Sequence, residues 1–369
     1  MQLVKASRDA LLKPLQVVSG IVERRQTLPI LANVLVRKDD DQVSFTATDL
    51  EIQIQTSAAI GAGRDAAATT VSARKLVDIL RALPEADVAL SLTGKKLTIQ
   101  SGRSRFNLQT MAADEVPAVA AAEYTADFEL PAGTLKYLLA MVHYAMAAQD
   151  IRYYLNGMLL VVDGPTVRAV ATDGHRLALC EVSKDGAAGS GRIEAIIPRK
   201  TIHELSRLLP DSPEERVRVQ MAASQVKFSF GGIELISKLV EGKFPDYTKV
   251  IPAANTRRFT VERELLAAAL QRAAILTTDK FKGVRMVLGT GSLKINSTNS
   301  DQEDAQEELE VDYSGEGLDI GFNVTYLLDV LANLKSERIC FSLGDALGSA
   351  LITMPDSEKF KYVVMPMRI

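Results

Sequence analysis

The chain has no tryptophan, and Phe and Tyr supply only 5% of its 369 residues, so its cores must rest on Leu, Val, Ile and Ala. It has two cysteines, Cys180 and Cys340, far apart and without a partner motif. That excludes a disulfide-stapled scaffold and points to buried thiols in a reducing compartment. With three histidines and no Cys/His cluster of zinc spacing, no metal or other cofactor is expected. No stretch approaches the ~18 consecutive apolar residues of a spanning helix. The opening MQLVKASRDALLKPL is too charged for a secretory signal. These absences read together as a cytoplasmic protein with no membrane partner. The net charge of −3 does not exclude nucleic acid, because binding depends on where charge sits, not on its sum.

What is present is repetition, which has to be sought first because it decides the fold. TTVSARKLVDILRALP (69–84) aligns with AIIPRKTIHELSRLLP (195–210) and DIGFNVTYLLDVLANL (319–334), placing Arg74, Arg199 and Val324 at intervals of 125 residues. A second set of matches, KASRDALLKPLQVV, ELPAGTLKYLLAMV and TVERELLAAALQRA, opens each copy with an apolar run at helical spacing. Ala47-Thr48-Asp49 returns as Ala171-Thr172-Asp173. Each copy predicts a helix, strands such as 42–47 and 158–162, a second helix, and further alternating strands. Ser72 suits an N-cap and Pro198 a first helical turn. Thr93-Gly94, Gly231-Gly232 and Asp39-Asp40-Asp41 read as turns. The fold class is α+β in three tandem copies, with domains expected at 1–122, 123–253 and 254–369.

The six predicted helices, 6–25, 71–84, 131–148, 198–209, 259–276 and 323–335, together carry +7, leaving −10 for the rest. Solvated helix faces often carry Lys and Arg. A shared electropositive face would instead meet phosphates through a salt-sensitive, sequence-independent attraction. If two chains closed with twelve helices inside, spacings of ~10 Å give a centreline diameter of ~38 Å. Subtracting a helix thickness of ~10 Å leaves a hole of ~28 Å, wide enough to thread a duplex. The chain's two ends are also complementary. SGRSRFNL (101–108) reads as an alternating strand exposing two arginines, and DQEDAQEELE (301–310) is strongly acidic. That pairing suits a head-to-tail contact that closes.

Catalytic parts are missing. Asp173 and His175 could form an acid–base pair, but no Ser or Cys nucleophile motif accompanies them. Gly289-Thr290-Gly291-Ser292-Leu293-Lys294 lacks phosphate-loop spacing and fits a hairpin turn. The reading is a non-enzymatic protein, with a DNA-free peptide scaffold as the competing class.

Several segments then carry a family resemblance. They are LLKPL (11–15), TLPIL (27–31), SGRSRF (101–106), QDIRYYLNG (149–157), ATDGHRL (171–177), SKLV (237–240), FPDY (244–247) and VVMPMRI (363–369). In this order along three repeats, the chain resembles the bacterial DNA polymerase III beta-subunit family of sliding clamps over its whole length. The resemblance implies a head-to-tail dimeric ring of six clamp-fold domains, each with two helices packed on antiparallel sheets. Such a ring encircles duplex DNA and confers processivity without chemistry of its own. The partners it implies are double-stranded DNA and primed template, the replicative polymerase alpha subunit, the clamp loader complex, and other polymerases and repair proteins carrying short clamp-binding peptides.

Residue roles follow from the same resemblance. DNA contact is expected at Arg25, Gln149, Arg152, Tyr153, Tyr154, Arg199 and Lys200. As strand residues, Tyr153 and Tyr154 would alternate, with one ring turned inward. A partner-peptide pocket is expected from Leu155, Thr172, Gly174, His175, Arg176, Leu177, Pro245, Val250, Val363, Met365, Pro366, Met367 and Arg368. The dimer contact would set Arg103, Arg105, Phe106 and Leu108 against Ile275, Leu276, Glu303, Glu307 and Glu308 of the other chain.

Overall fold

A computed structural model of the chain describes residues 1–23, 28–84, 86–120, 122–184, 191–278 and 281–368, and one element order recurs in it three times. The first copy begins with β1 (Gln2–Ser7), α1 (Arg8–Ser19), β2 (Asn33–Asp39), β3 (Gln42–Thr48) and β4 (Ile52–Ala59). It continues with β5 (Ala67–Ser72), α2 (Ala73–Ala82), β6 (Asp87–Thr93), β7 (Lys96–Ser101) and β8 (Ser104–Met111). The second copy begins with β9 (Ala126–Pro131), α3 (Ala132–Ala140), β10 (Gly157–Asp163), β11 (Thr166–Thr172) and β12 (Arg176–Ser183). β13 (Ile193–Pro198), α4 (Arg199–Leu208), β14 (Arg216–Met221), β15 (Gln225–Phe230) and β16 (Ile233–Lys238) complete it. The third runs through β17 (Arg257–Glu262), α5 (Arg263–Ala274), β18 (Gly283–Gly289), β19 (Ser292–Thr298) and β20 (Asp304–Glu310). It ends with β21 (Leu318–Asn323), α6 (Val324–Asn333), β22 (Arg338–Leu343), β23 (Ala350–Met354) and β24 (Ser357–Val364).

The helices form where the sequence places caps and an apolar stripe. Ser7, Ser72 and Asn323 accept hydrogen bonds from the backbone N–H of Ala10, Lys75 and Thr325, satisfying donors that the first helical turn leaves open. Leu11, Leu15 and Val18 of α1, and Leu76, Val77 and Leu80 of α2, are buried, and α1 packs against α2. α5 and α6 pack together in the same way, through rows that include Leu266, Leu270, Leu327 and Leu331. The predicted 131–148 helix is a correction. α3 stops at Ala140, Val142 leaves helical geometry at φ −130°, and His143 falls in a separate 3-10 turn. Met141 to Ala147 are buried apart from His143, so the apolar run lacks the polar face that would mark a helix end.

Strand pairing repeats too. In every copy the first, sixth, seventh and eighth strands are neighbours, as are the fifth, second, third and fourth. Copies then join by one rule: β16 pairs antiparallel with β4, and β24 with β12. Each eighth strand thus completes the fourth-strand edge of the preceding copy. Among the described residues, two edges have no such partner, β20 and most of β8, whose only pairing there outside β7 is the short link of Thr110 and Met111 to β5. The chain separates into two compact units, Met1–Gly133 with His203–Leu239, and Thr134–Ile202 with Val240–Ile369. The division runs through the central copy because each of its sheets continues into a neighbouring copy.

One buried cation stands out. Lys38 on β2 is 1% exposed, and its Nζ donates to the Asp65 carbonyl at 2.6 Å. Desolvating an ammonium for one carbonyl is unfavourable. Lys38→Met should therefore stabilise the fold by about 1 kcal/mol or more and raise the melting temperature, since Asp65 is exposed and water can take its carbonyl. A lower midpoint in calorimetry would contradict this account.

Candidate functional site

The β12–β24 seam carries an apolar concavity of the second unit, and a short turn shapes it. Asp173 Oδ1 accepts from the N–H groups of His175 and Arg176 at 2.9 and 3.1 Å, and Thr172 Oγ1 accepts from Gly174 N at 3.1 Å. The turn places Gly174 at φ +91°, and β12 starts immediately after it. Leu177 then lies opposite Val363 of β24, and Met365 N donates to His175 O at 2.9 Å. Together with the 244–250 segment these residues enclose a cavity of about 180 Å³. Its floor is core: Leu177, Phe244, Tyr247 and Val363 belong to the same buried cluster as Leu159, Val161 and Val170.

The copy-one seam is built alike and has diverged. There Lys238 N donates to Glu51 O at 2.9 Å, and Leu50 occupies the left-handed position at φ +80°. Lys238 and Glu51 pair as ions at 3.5 Å where the second seam has Met365 and His175. The first seam thus carries a surface ion pair and Leu50. Glycine and methionine open the second.

Of the predicted pocket residues, Leu155, Thr172, Gly174, His175, Arg176, Leu177, Pro245, Val250, Val363 and Met365 line the cavity. Pro366, Met367 and Arg368 do not. Met367 N donates instead to Gly321 O at 2.8 Å, which ties the copy-three sheets as Val240 N to Ile196 O ties those of copy two. Arg152, Tyr154, Phe244 and Tyr247 line it as well. The sequence marks the last two through the FPDY segment, and Arg152 and Tyr154, expected at DNA, also reach this cavity.

Arg176 contributes a buried wall. Its guanidinium reaches Asp329 Oδ2 at 2.6 Å, Asp173 Oδ2 at 3.0 Å and the Tyr144 carbonyl at 2.6 Å, and it stacks 4.4 Å over the Tyr326 ring. Asp173 is thus occupied by Arg176 and backbone N–H groups, not by the His175 imidazole. No serine or cysteine lines the cavity, and the one lining threonine, Thr172, has its hydroxyl committed to the turn, donating to Arg176 O and accepting from Gly174 N. Among the described residues no group of His, Cys, Asp and Glu is arranged to hold a metal ion.

Gln149, Arg152, Tyr153 and Tyr154 share one closed loop. Ala147 N donates to Leu155 O at 3.0 Å, while Asn156 accepts from Asp150 N and donates to Asp150 O, both at 2.8 Å. Gln149 is exposed at φ +62°. The tyrosines lie on a 3-10 turn, not a strand; Tyr153 is exposed, and Tyr154 is half-buried at the cavity. Arg199 has a second tie: its Nη1 donates to the carbonyls of Met146 and Ala147 at 2.7 and 3.3 Å, and its backbone N–H to Asn156 O at 3.0 Å, so this half-exposed cation also anchors the loop. Lys200 follows it, half-buried, on α4. Arg25 lies outside the described residues.

The residues read as a dimer contact fall on the two unmatched edges. Arg103 sits at the β7–β8 turn, and β8 carries Arg105, Phe106 and Leu108. The expected alternation is absent over 104–107, where Arg105 and Phe106 are both exposed. Ile275 is 77% exposed just beyond α5, with Leu276 half-buried beside it. The acidic strand is partly neutralised within its own chain. Glu307 accepts from Arg272 at 2.6 Å, Glu308 from Ser292 Oγ at 2.7 Å, and Glu303 from Asn299 at 2.6 Å.

Family models for the N-terminal, central and C-terminal domains of the DNA polymerase III beta subunit match residues 1–120, 129–246 and 248–368. A curated relative from Escherichia coli K12, called a beta sliding clamp, is 44% identical over 363 residues, 98% of each chain. The crystal structure of a DNA polymerase sliding clamp from Pseudomonas aeruginosa superposes with a TM-score of 0.96 at 42% identity, covering all of both chains. A clamp from Bartonella birtlesii bound to griselimycin gives 0.95 at 35% identity, again over the full length of both.

Proposed function

The chain belongs to the DNA polymerase III beta-subunit family, and from that membership we propose how it works as a non-catalytic processivity factor: two copies close head to tail around duplex DNA. The observation that carries this reading is the strand-edge rule. Every seam within the chain joins an eighth strand to a fourth strand, and the two edges left over are an eighth strand, β8, and a fourth strand, β20. Repeating the seam between two chains satisfies both edges, makes six like seams and leaves no fourth- or eighth-strand edge without a seam. The three clamp domains, 1–122, 123–253 and 254–369, would then form a six-domain ring in the cytoplasm.

Inside it, the helices, whose charge is +6 within their observed bounds, would face phosphates. Gln149, Tyr153 and Arg25 would contact primed template, with Lys200 at the backbone. The cavity would take short apolar peptides from the polymerase alpha subunit, the clamp loader that opens the ring, and other polymerases and repair proteins. Apolar walls with an adaptable methionine suit such varied ligands.

The direct test is retention on circular DNA. The loaded protein should remain bound to a nicked circle at a salt concentration that strips ordinary contacts, and should leave once the circle is linearised. Equal loss from both forms would favour a peptide scaffold that does not encircle DNA. At the proposed seam the apolar members should dominate, because exposed ion pairs contribute only ~0–1 kcal/mol each. Ile275→Ala is expected to weaken the dimer about ten- to hundredfold in sedimentation experiments. An unchanged dimer constant would move the interface elsewhere.

A further inference from the structure

The three copies fill one corner of their sheets differently. Lys38 lies opposite Val43 in the β2–β3 hairpin and opposite Ala67, the first residue of β5. Val162 holds the same place in copy two, opposite Val167 and Ile193, and Leu288 in copy three, opposite Leu293 and Leu318. All three side chains are buried. Two are apolar, and the third carries an ammonium.

The loop that meets this corner differs as well. In copy three the Glu316 carbonyl accepts from the Tyr313 hydroxyl at 2.7 Å and from Arg257 Nε at 3.4 Å. Tyr313 is itself buried, with its N–H on Val311 O and its C=O on Gly291 N. Asp65 stands at the place of Glu316, two residues before the fifth strand, and its carbonyl accepts from Lys38 Nζ at 2.6 Å. Among the described residues Asp65 makes no other hydrogen bond, and Gly63 and Arg64 make none. Just before them, Gly61 N donates to Asp41 O at 2.8 Å and Ala62 N to Leu3 O at 3.1 Å; just after them β5 begins. The segment is fixed at both ends and held in its middle by one buried charge.

We propose that residues 63–66 form a strap that opens independently of the fold around it and releases the Lys38 amine to water. Closure exchanges the full hydration of an ammonium for one carbonyl, which is unfavourable. Opening breaks only that bond, because Gly63 and Arg64 have none to lose and both ends keep theirs. Valine or leucine at the same corner gains nothing from water, so copies two and three lack this drive. A local opening of this kind lies well below global unfolding in free energy. It makes copy one the copy with a strap poised to expose a reactive amine, whether or not two chains close into a ring.

The test is acetylation of Lys38 in the folded, full-length protein by brief treatment with acetic anhydride. Mass spectrometry reads each lysine, with the exposed Lys95 as reference, at several urea concentrations below the unfolding transition. Lys38 should react about ten- to a thousandfold more slowly than Lys95, at a rate that hardly changes with urea, because so short an opening exposes little surface. Gly63 sits at φ +76° with nothing within 4 Å of an added Cβ, so Gly63→Ala strains only the backbone of the closed strap. That variant should raise the Lys38 rate about three- to tenfold and leave Lys95 unchanged. Lys38→Met should slow tryptic cleavage after Arg64 by a similar factor, since a methionine side chain favours the closed strap. A Lys38 rate that climbs with urea in step with unfolding of the surrounding sheet, or that equals the rate of Lys95, overturns the proposal. Faster cleavage in Lys38→Met overturns it too, because Lys38 would then act only as a tether.

Discussion

Arg176→Ala should destabilise the unit that contains the cavity by about 3–5 kcal/mol, the range for removing one partner from a buried charge network. The side chain is 9% exposed and serves two carboxylates, one carbonyl and one aromatic face. Removing it leaves Asp329 Oδ2 without its 2.6 Å donor and strips the side-chain half of the Asp173 turn. Asp329 is 35% exposed and can recover some hydration, which places the loss nearer the lower figure. Because the chain has two compact units, unfolding need not be a single transition, and only the transition of the second unit should move. Denaturant titrations followed by limited proteolysis would resolve this. An Arg176→Met, Asp329→Leu double variant should regain part of the loss, because it removes the charge and one of its two carboxylates, while Asp173 keeps only its backbone donors. A midpoint unchanged in Arg176→Ala would mean that the network contributes nothing.

The second large effect is expected from removing residues 365–369. Met365 is a wall of the cavity, and its N–H closes the seam onto His175, while Met367 stitches the chain to Gly321. Ile369 lies outside the described residues. Deleting these five residues opens the cavity on one side and leaves Val363 and Leu177 at a wet edge. Affinity for a partner peptide should fall more than about a hundredfold, since a lost apolar wall and a lost seam each count at ~1.5–3 kcal/mol. Polymerase tethering should fail with it, seen as short products in primer extension on long templates. The dimer should survive, because β8 and β20 lie outside the deleted segment. Long products from the truncated protein would remove the cavity from the tethering mechanism. A monomer would show that the terminal segment supports the interface.

Much of the architecture was legible because it depends on local rules repeated three times. Ser72 before an amphipathic run is an N-cap wherever it occurs, and it caps α2. Gly231-Gly232 closes a hairpin at φ +51° and +75° because few other residues reach that region cheaply. The helix over 131–148 was overread for the complementary reason: a segment buried on every side shows no period. The tyrosine pair was misplaced because two adjacent aromatics suit a strand as well as a turn. That Arg199 also anchors the 147–155 loop is not legible in the sequence, because only tertiary packing brings the carbonyls of Met146 and Ala147 to its Nη1.

The sequence by itself determined the threefold α+β repeat, its helix starts and hairpins, and the opposite charge of its first and last strands. These follow from spacing and composition within a few residues. Tertiary structure alone decided that β12 pairs with β24, and therefore that Leu177 meets Val363, Met365 reaches His175, and Arg152 lies across Gly174. The physical reason is register. A cavity assembled from 152–177, 244–250 and 363–365 exists only once two distant strands have matched their hydrogen bonds, and no local pattern encodes that match.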